Sequence, residues 1–437
     1  MNLKIMLLGI LVVFATAITR AAPSMKSVHL TPTVLPQVAP AEVGLDSAVL
    51  DRIDVECQKG IDEELVPGCV VCVGRHGKIT WLKAYGNRRL ATKDRPAHPM
   101  TVDTVFDLAS ITKPVAVAAS IMTLVDQGKL NVDDKVARYL DEYKTPEKET
   151  ITIRQLLTHT SGLGGLHIVR TDQLLAKTFS QSARISGPRP APPAELPTAP
   201  RDEVVRLLAA PPVAKPGEVY FYSGANMDTL AVLLERVTGR DLATYARENI
   251  FQPLGMLETD YLPGVELRRR AAPTRLDGRD TGRVRDPYTI AKGGVSGGAG
   301  LFSTADDLAV FSAMMLNRGR LPEHLGRDAR ILNPETVALM TTRGAGAASD
   351  RALGWVMGAP YAKNMSDVSY GHGGFDGNYI QLDPKHDIFV IFLSNRMHIR
   401  KGAAKASRVP VYQLAGRIGD IAVDAITAPQ SGTGGKP

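Results

Sequence analysis

The sequence has 437 residues, of which 44% are hydrophobic and 22% charged, and its formal net charge at pH 7 is +7. This composition is typical of a folded globular protein and excludes a largely disordered chain. Most basic residues are dispersed among acidic ones, and the one tight arginine cluster is Arg268-Arg269-Arg270. The sequence has no basic stripe with interleaved aromatic residues, so nucleic acid is not expected to be a partner.

The N-terminus has the three-part form of a secretory signal peptide. Lys4 is followed by an apolar run from Ile5 to Ala15 and then by small residues. Ala15-Thr16-Ala17 and Ala21-Ala22 are two candidate cleavage sites, and the run is short for a membrane-spanning helix. Residues 1–22 are therefore predicted to be a bacterial-type signal peptide, and the protein to be exported, periplasmic or secreted. An uncleaved anchor is the alternative, and a membrane tether is expected only in that case.

Two short apolar runs after residue 65 predict a β-hairpin. GCVVCVG and KITWLKAYG flank the turn residues Arg75-His76-Gly77, and an amphipathic helix over 47–65 precedes them. Cys69 and Cys72 lie in the first run, where residues three apart face opposite sides of a strand. They are therefore unsuited to a shared metal site, and both are predicted to be buried as small apolar residues, as is Cys57.

Helical patterns dominate the middle of the chain, and strand patterns return near its C-terminus. Residues from about 125 to 260 have helix and loop patterns, with a proline-rich loop at 187–200. Strands are predicted at WVMGAP, VSYGHGG, NYIQLDP and DIFVIFLSN. The final segment has apolar residues at helical spacing, namely Leu414, Ile418, Ile421 and Ala425. Strands at both ends with helices between them predict an α+β fold with an antiparallel sheet.

In FDLASITKPVAVAAS (106–120), Ser110 and Lys113 lie one helical turn apart at the head of an apolar helix. Side chains at i and i+3 share a helix face, and the positive end of the helix dipole favours an alkoxide-like nucleophile. Because burial disfavours the charged form of a lysine, a neutral Lys113 would accept the proton of Ser110. Ser110 is the only serine with a lysine three residues later. A capping serine beside a solvated lysine is the structural alternative.

Two further stretches favour chemistry at this pair. In YFYSGAN, Tyr222 and Ser223 precede a helix, and a tyrosine that contacts a lysine can pass a proton to a leaving group. In YGHGGFDG, glycines flank His372, and glycine lets backbone N–H groups approach a ligand closely, as an oxyanion hole requires. A half-buried loop tyrosine and a glycine-rich hairpin turn are the structural alternatives.

Three other features are assigned lesser roles. His159 and Ser161 in LLTHTSG are predicted to fix a loop by hydrogen bonds rather than to catalyse. The segment GGVSGGAGLFS (293–303) is predicted to border the cleft. His398 is not assigned to the site.

Together these segments resemble the serine β-lactamase and penicillin-binding-protein superfamily, in particular its branch of class C β-lactamases, D-alanyl-D-alanine peptidases and related carboxylesterases. The resemblance spans roughly residues 42–427 and includes TVFDLASITKPVA, ITIRQLLTHTSGL, PGEVYFYSGAN, FQPLGMLETDY and FLSNRMH, in the family's order. It implies a sheet flanked by helices and an all-helical lobe, with the active site between them. The sheet lobe would comprise about 42–105 and 290–427, the helical lobe about 106–290, and a flexible tail 428–437.

The resemblance also implies a role for each site residue. Ser110 would be the acylated nucleophile, Lys113 its base, and Tyr222 an aid to proton transfer. The oxyanion hole would consist of the backbone N–H groups of Ser110 and Phe375. The sequence departs from the family twice. In the second motif, usually Tyr-x-Asn, Gly224 stands in place of the asparagine, although Asn226 follows two residues later. In the third motif, commonly Lys-Thr-Gly, this sequence has His372-Gly373-Gly374.

The second departure removes a fixed cation and a hydroxyl that would hold a substrate carboxylate, and a neutral histidine binds an anion more weakly. We therefore expect an exported serine hydrolase that cleaves an ester or amide bond through an acyl-serine intermediate, without a metal or cofactor. The expected substrate is a small-molecule ester, an amide or a cell-wall peptide. A class C-type β-lactamase or D-alanyl-D-alanine carboxypeptidase is the enzymatic alternative. A non-catalytic penicillin-binding-like protein is the alternative from a different class.

Overall fold

The computed structural model describes residues 31–163, 208–209, 211–275, 281–344, 346–348, 350–399 and 408–427. The predicted signal peptide, the proline-rich loop and the C-terminal tail lie outside the described residues.

In the described part of the chain, ten strands form two antiparallel sheets. The strands are β1 (Gly68–Arg75), β2 (Lys78–Arg89), β3 (His98–Pro99), β4 (Phe106–Asp107), β5 (Asp260–Tyr261), β6 (Leu301–Ser303), β7 (Val356–Met357), β8 (Tyr370–Gly373), β9 (Tyr379–Asp383) and β10 (Ile388–Ser394). The large sheet has the order β3-β2-β1-β10-β9-β8-β7, and the small one β4-β6-β5. In the large sheet β1 pairs with β10, with Cys69 opposite Ser394 and Arg75 opposite Ile388. The two ends of the chain therefore meet in the middle of one sheet, and the predicted α+β fold is confirmed.

The α-helices of the described chain flank and connect these sheets. They are Ser47–Leu50, Arg52–Asp62, Ala119–Asp126, Ile153–Leu157, Gly224–Thr238, Leu242–Ala246, Gln252–Leu254, Val265–Arg270, Pro287–Ala291, Ala305–Leu316, Pro334–Thr341 and Val409–Asp424. The single helix predicted over 47–65 is wrong in detail. Asp51 separates two helices, and the second ends at Asp62, before Glu64 adopts a left-handed φ of 53°.

The large sheet is buried on both faces, and each face has its own apolar core. On one face lie Cys69, the Arg52–Asp62 helix and the Val409–Asp424 helix; on the other lies Cys72, together with most of the core of the helical segments. The expectation that the two cysteines face opposite sides of a buried strand is confirmed. All three cysteines are free and buried.

The apolar run after Ser110 is a core element. Residues 115–122 are all buried, and their neighbours are the helices Gly224–Thr238 and Leu242–Ala246. Ala109–Asp126 is long and apolar enough to span a membrane, but 83% of this stretch is buried inside the protein. Its composition is therefore explained by packing against the helices around it.

Candidate active site

The backbone before Ser110 turns sharply from strand β4 into the core helix. Ala109 has a positive φ of 47°, and Ala109–Ile111 forms one turn of 3₁₀ helix. A π-helical segment, Lys113–Ala118, then leads into the α-helix Ala119–Asp126. Lys113 Nζ donates a hydrogen bond to Ser110 Oγ at 3.0 Å. The structure thus brings the predicted nucleophile and its predicted base into direct contact.

Lys113 is held from a second side by a distant segment. Its side chain is almost fully buried, and Nζ also donates to the carbonyl oxygen of Gly298 at 2.6 Å. Gly298 belongs to the glycine-rich segment that was expected to border the cleft. The two bonds fix the position of the buried Lys113 Nζ beside Ser110.

Tyr222 lies at the end of a loop, directly before the helix Gly224–Thr238. Ser223 caps this helix, because its Oγ accepts a hydrogen bond from the N–H of Ala225 at 3.1 Å. Lys113 Nζ is 5.1 Å from the centre of the Tyr222 ring. Burial favours the neutral phenol, but the charge of Lys113 and hydrogen bonds with Ser110 and Lys113 outweigh it, so the pKa of Tyr222 is lowered. A lowered pKa suits a phenol that exchanges a proton with its neighbours.

Asn226, which follows the second motif, is hydrogen-bonded to two residues of a neighbouring loop. Its side chain is buried, where Oδ1 accepts from Ser161 Oγ at 2.5 Å and Nδ2 donates to His159 Nδ1 at 3.1 Å. His159 and Ser161 therefore do hold their loop through hydrogen bonds. The ring of His159 also packs on that of Tyr222, with centroids 4.6 Å apart, which the sequence did not indicate.

His372, at the position of the third motif, lies on β8 with its ring centroid 6.2 Å from that of Tyr222. Its Nδ1 lies 2.9 Å from the carbonyl oxygen of Gly373, to which only a protonated nitrogen can donate. Burial and then the charge of Lys113 hold the pKa of His372 well below its usual range. The imidazole is therefore neutral, with Nε2 as an acceptor.

The two glycines after His372 allow this segment to pack closely on its neighbours, one of which is the segment just before Ser110. A Cβ on Gly374 would lie 2.4 Å from the carbonyl oxygen of Leu108, and one on Gly373 would lie 2.7 Å from the ring of Tyr412. Among the described residues, neither the N–H of Ser110 nor that of Phe375 has a hydrogen-bond partner. Two unpaired N–H donors on these adjoining segments are what an oxyanion hole requires.

Two features of the site have no signal in the sequence. The guanidinium carbon of Arg351 lies 4.6 Å from the ring centre of Tyr220 and 5.9 Å from that of Tyr222, which adds a second cation to the cleft. Asp228 and Lys292 form a buried ion pair beneath the Gly298 segment. No short motif marks either feature, because the partners come from separate parts of the chain. His398 is buried, and its two ring nitrogens bond backbone atoms of Leu90 and Arg275.

Comparison with known proteins places this geometry in a family. The sequence profile of the Beta-lactamase family matches residues 55–412. An N-acetylmuramyl-L-alanine amidase of Bacillus subtilis is 30% identical over 369 residues, which cover 76% of this chain and 78% of that protein. A protein of Escherichia coli K12, named as a candidate D-alanyl-D-alanine carboxypeptidase, is 28% identical over 394 residues, covering 84% and 86%.

Solved structures agree with this assignment. EstCE1, described as a hydrolase with promiscuous acyltransferase activity, aligns with a TM-score of 0.61 at 26% identity, over 87% of this chain and 99% of that one. The family profile spans most of the chain, and the named relatives are hydrolases. The chain therefore belongs to the Beta-lactamase family and is a serine hydrolase.

Proposed function

We propose that the protein is an exported hydrolase that cleaves an ester or amide bond through a covalent acyl-Ser110 intermediate. The observation that carries the proposal is the 3.0 Å hydrogen bond from the buried Lys113 Nζ to Ser110 Oγ. A nucleophile within hydrogen-bond reach of its base is the arrangement that covalent acyl transfer requires.

Each step has a group to perform it. Ser110 Oγ attacks the substrate carbonyl carbon, and its proton passes to Tyr222, either directly or through Lys113. The N–H groups of Ser110 and Phe375 stabilise the oxyanion of the tetrahedral intermediate. As the intermediate collapses, the bond to the leaving group breaks and Tyr222 returns the proton to it. Water then attacks the acyl-serine ester by the reverse sequence, which frees the acid and restores Ser110.

The third motif bears on the substrate. His372 is neutral and Gly373 has no hydroxyl, so this position supplies neither a cation nor a hydroxyl for a substrate carboxylate. We therefore infer that esters and amides are better substrates than β-lactams. The names of the amidase and carboxypeptidase relatives favour a cell-wall amide, and the name of EstCE1 favours an ester.

A substrate panel tests the proposal: p-nitrophenyl esters of increasing acyl length, a chromogenic cephalosporin and a peptide ending in D-Ala-D-Ala. Ser110→Ala should abolish hydrolysis and also labelling by a fluorophosphonate. Ser120→Ala is the matched control, because Ser120 is buried in the same helical run and its hydroxyl has no hydrogen-bond partner among the residues that the structure describes. It should retain both activities.

The panel also separates the alternatives. Cephalosporin turnover comparable to that of a dedicated β-lactamase would contradict the inference drawn from His372. Turnover of the D-Ala-D-Ala peptide alone would assign a carboxypeptidase. A wild-type protein that neither hydrolyses any substrate nor becomes labelled would be a non-catalytic binding protein.

Export rests on the N-terminal pattern alone. If residues 1–22 are a cleaved signal, the protein recovered from the periplasm or the medium of an expressing bacterium will lack them. Mass spectrometry of the intact protein would show this directly. A full-length chain that sediments with membranes would instead support the uncleaved anchor.

A further inference from the structure

The two N–H groups of the proposed oxyanion hole come from segments that are far apart in the chain. One follows the strained residue Ala109, and the other follows the glycine pair 373–374. A left-handed φ at a residue other than glycine is strained and persists only when its surroundings hold it. Some group must therefore fix both segments relative to each other.

Asp107 holds the first segment. Its Oδ1 accepts a hydrogen bond from the N–H of Ala109 at 3.0 Å, and its Oδ2 accepts from the N–H of Arg285 at 3.0 Å. The side chain is 4% exposed, so water does not compete effectively for either bond. Its backbone carbonyl also accepts from Asn378 Nδ2 at 2.7 Å, which joins β4 to the start of β9.

Arg285 continues the connection to the second segment. Its Nε donates to Asp376 Oδ1 at 2.8 Å, and its guanidinium carbon lies 4.4 Å from the ring centre of Phe375. Arg396 completes the support, because its guanidinium donates to the carbonyl oxygen of Phe375 at 2.9 Å and its N–H donates to that of Asp376 at 2.9 Å. Phe375 is thus held by its ring and by its carbonyl, while its N–H has no partner within the described part of the chain.

We propose that Asp107, through Arg285 and Asp376, is a positioning residue that fixes the two oxyanion-hole donors, the N–H groups of Ser110 and Phe375, relative to each other. The inference rests on the proposed function, since it concerns the transition state of that reaction. Asp107 touches neither the substrate nor the reacting atoms. It acts by holding Ala109 in its strained conformation and by anchoring Arg285, whose side chain holds Phe375.

Asp107→Asn tests the proposal. An asparagine has one carbonyl oxygen, so it can accept from only one of the two N–H groups and presents a donor to the other. Because the hole acts on the transition state, kcat for a p-nitrophenyl ester should fall about 10- to 100-fold while KM changes little. The affinity of a boronic acid, whose tetrahedral adduct with Ser110 occupies the hole, should weaken by a similar factor.

Asp307→Asn is the matched control. Asp307 is equally buried, and its Oδ2 accepts from the N–H of Glu258 at 2.9 Å and from Thr259 Oγ at 2.7 Å. One asparagine oxygen can accept both bonds, and neither partner belongs to the proposed site. This variant should retain the wild-type kcat and boronic acid affinity. Equal kinetics for the two variants would overturn the positioning role.

A second variant approaches the same connection from Phe375. Arg285→Lys keeps the backbone N–H for Asp107 and a charge for Asp376, but it removes the planar group that lies over the ring. It should also lower kcat and boronic acid affinity together, which keeps the proposal testable if Asp107→Asn does not fold. A change in KM alone would contradict it. A wild-type protein that no fluorophosphonate labels would overturn the proposed function and this inference together.

Discussion

Tyr222 lies within 6 Å of two cations, Lys113 and Arg351, and both lower the pKa of its phenol. Arg351→Gln should therefore raise the pKa of Tyr222. If the tyrosinate is the form that takes the proton from Ser110, activity rises with pH through this pKa. The rising limb of kcat/KM against pH should then move to higher pH in the variant.

The pH–rate profile of an ester substrate would show this shift. Arg138→Gln is a suitable control, because Arg138 is an exposed arginine that pairs with Asp134, four residues before it, and neither residue belongs to the proposed site. Its profile should overlay that of the wild type. An unshifted limb in Arg351→Gln would mean that the limb reports a group other than Tyr222.

For single residues, the sequence indicated those that form local motifs and missed those that act through long-range contacts. The spacing of Ser110 and Lys113 predicted their contact, because one helical turn sets it. The carbonyl of Gly298 reaches Lys113 across 185 positions, and no spacing rule covers such a contact. No local pattern marks Asp107 for the same reason, since its role in the proposal depends on Arg285, which is 178 positions away.

Among the structural elements, the segment that carries Gly298 depends on the helix Gly224–Thr238. Asp228 of this helix pairs with Lys292, and its Oδ1 also accepts from Ser296 Oγ at 2.6 Å and from the N–H of Gly297 at 2.9 Å. A Cβ on Gly297 would lie 2.1 Å from a backbone oxygen of the helix, so the two elements are in close contact. One carboxylate thus fixes the segment whose carbonyl holds Lys113.

Asp228→Ala should therefore affect both stability and activity. Breaking a buried ion pair leaves Lys292 uncompensated and costs about 3–5 kcal/mol. Urea unfolding should show a lower midpoint, and ester hydrolysis should fall because Gly298 loses its support.

The double variant Asp228→Ala/Lys292→Met separates the two effects. Replacing the whole pair removes the uncompensated charge, so the urea midpoint should recover much of the loss. Activity should stay low, since Ser296 and Gly297 still lack their acceptor. Recovery of activity along with stability would show that the Gly298 segment does not need Asp228.

For the whole molecule, the sequence was most informative about the sheet. The short apolar runs in GCVVCVG and DIFVIFLSN predicted strands near both ends of the chain, and β1 and β10 pair at the centre of the sheet. Strand pattern and burial agree there because both faces are covered by apolar cores. The break at Asp51 and the π-helical segment after Ser110 were not predicted, because they depend on packing in the folded protein.

Asp307 links the stability of the whole fold to pH. Burial raises the pKa of its carboxyl from an ordinary 3.8 to about 7, against the hydrogen bonds from Thr259 and Glu258, which lower it. A carboxyl whose pKa is raised by folding stabilises the protein below its unfolded pKa, and this contribution is lost as the pH rises towards 7.

Asp307→Asn keeps both hydrogen bonds and carries no charge, so its Tm should exceed that of the wild type by an amount that grows from pH 5 to pH 8. Thermal melts at intervals of one pH unit would measure this difference. Asp328→Asn, at a side chain that is 81% exposed, should show a difference that does not depend on pH in this way. A Tm difference for Asp307→Asn that stayed constant from pH 5 to pH 8 would mean that Asp307 is ionised in the native state throughout this range. The cost of burying its charge would then have to be offset by its bonds to Glu258 and Thr259.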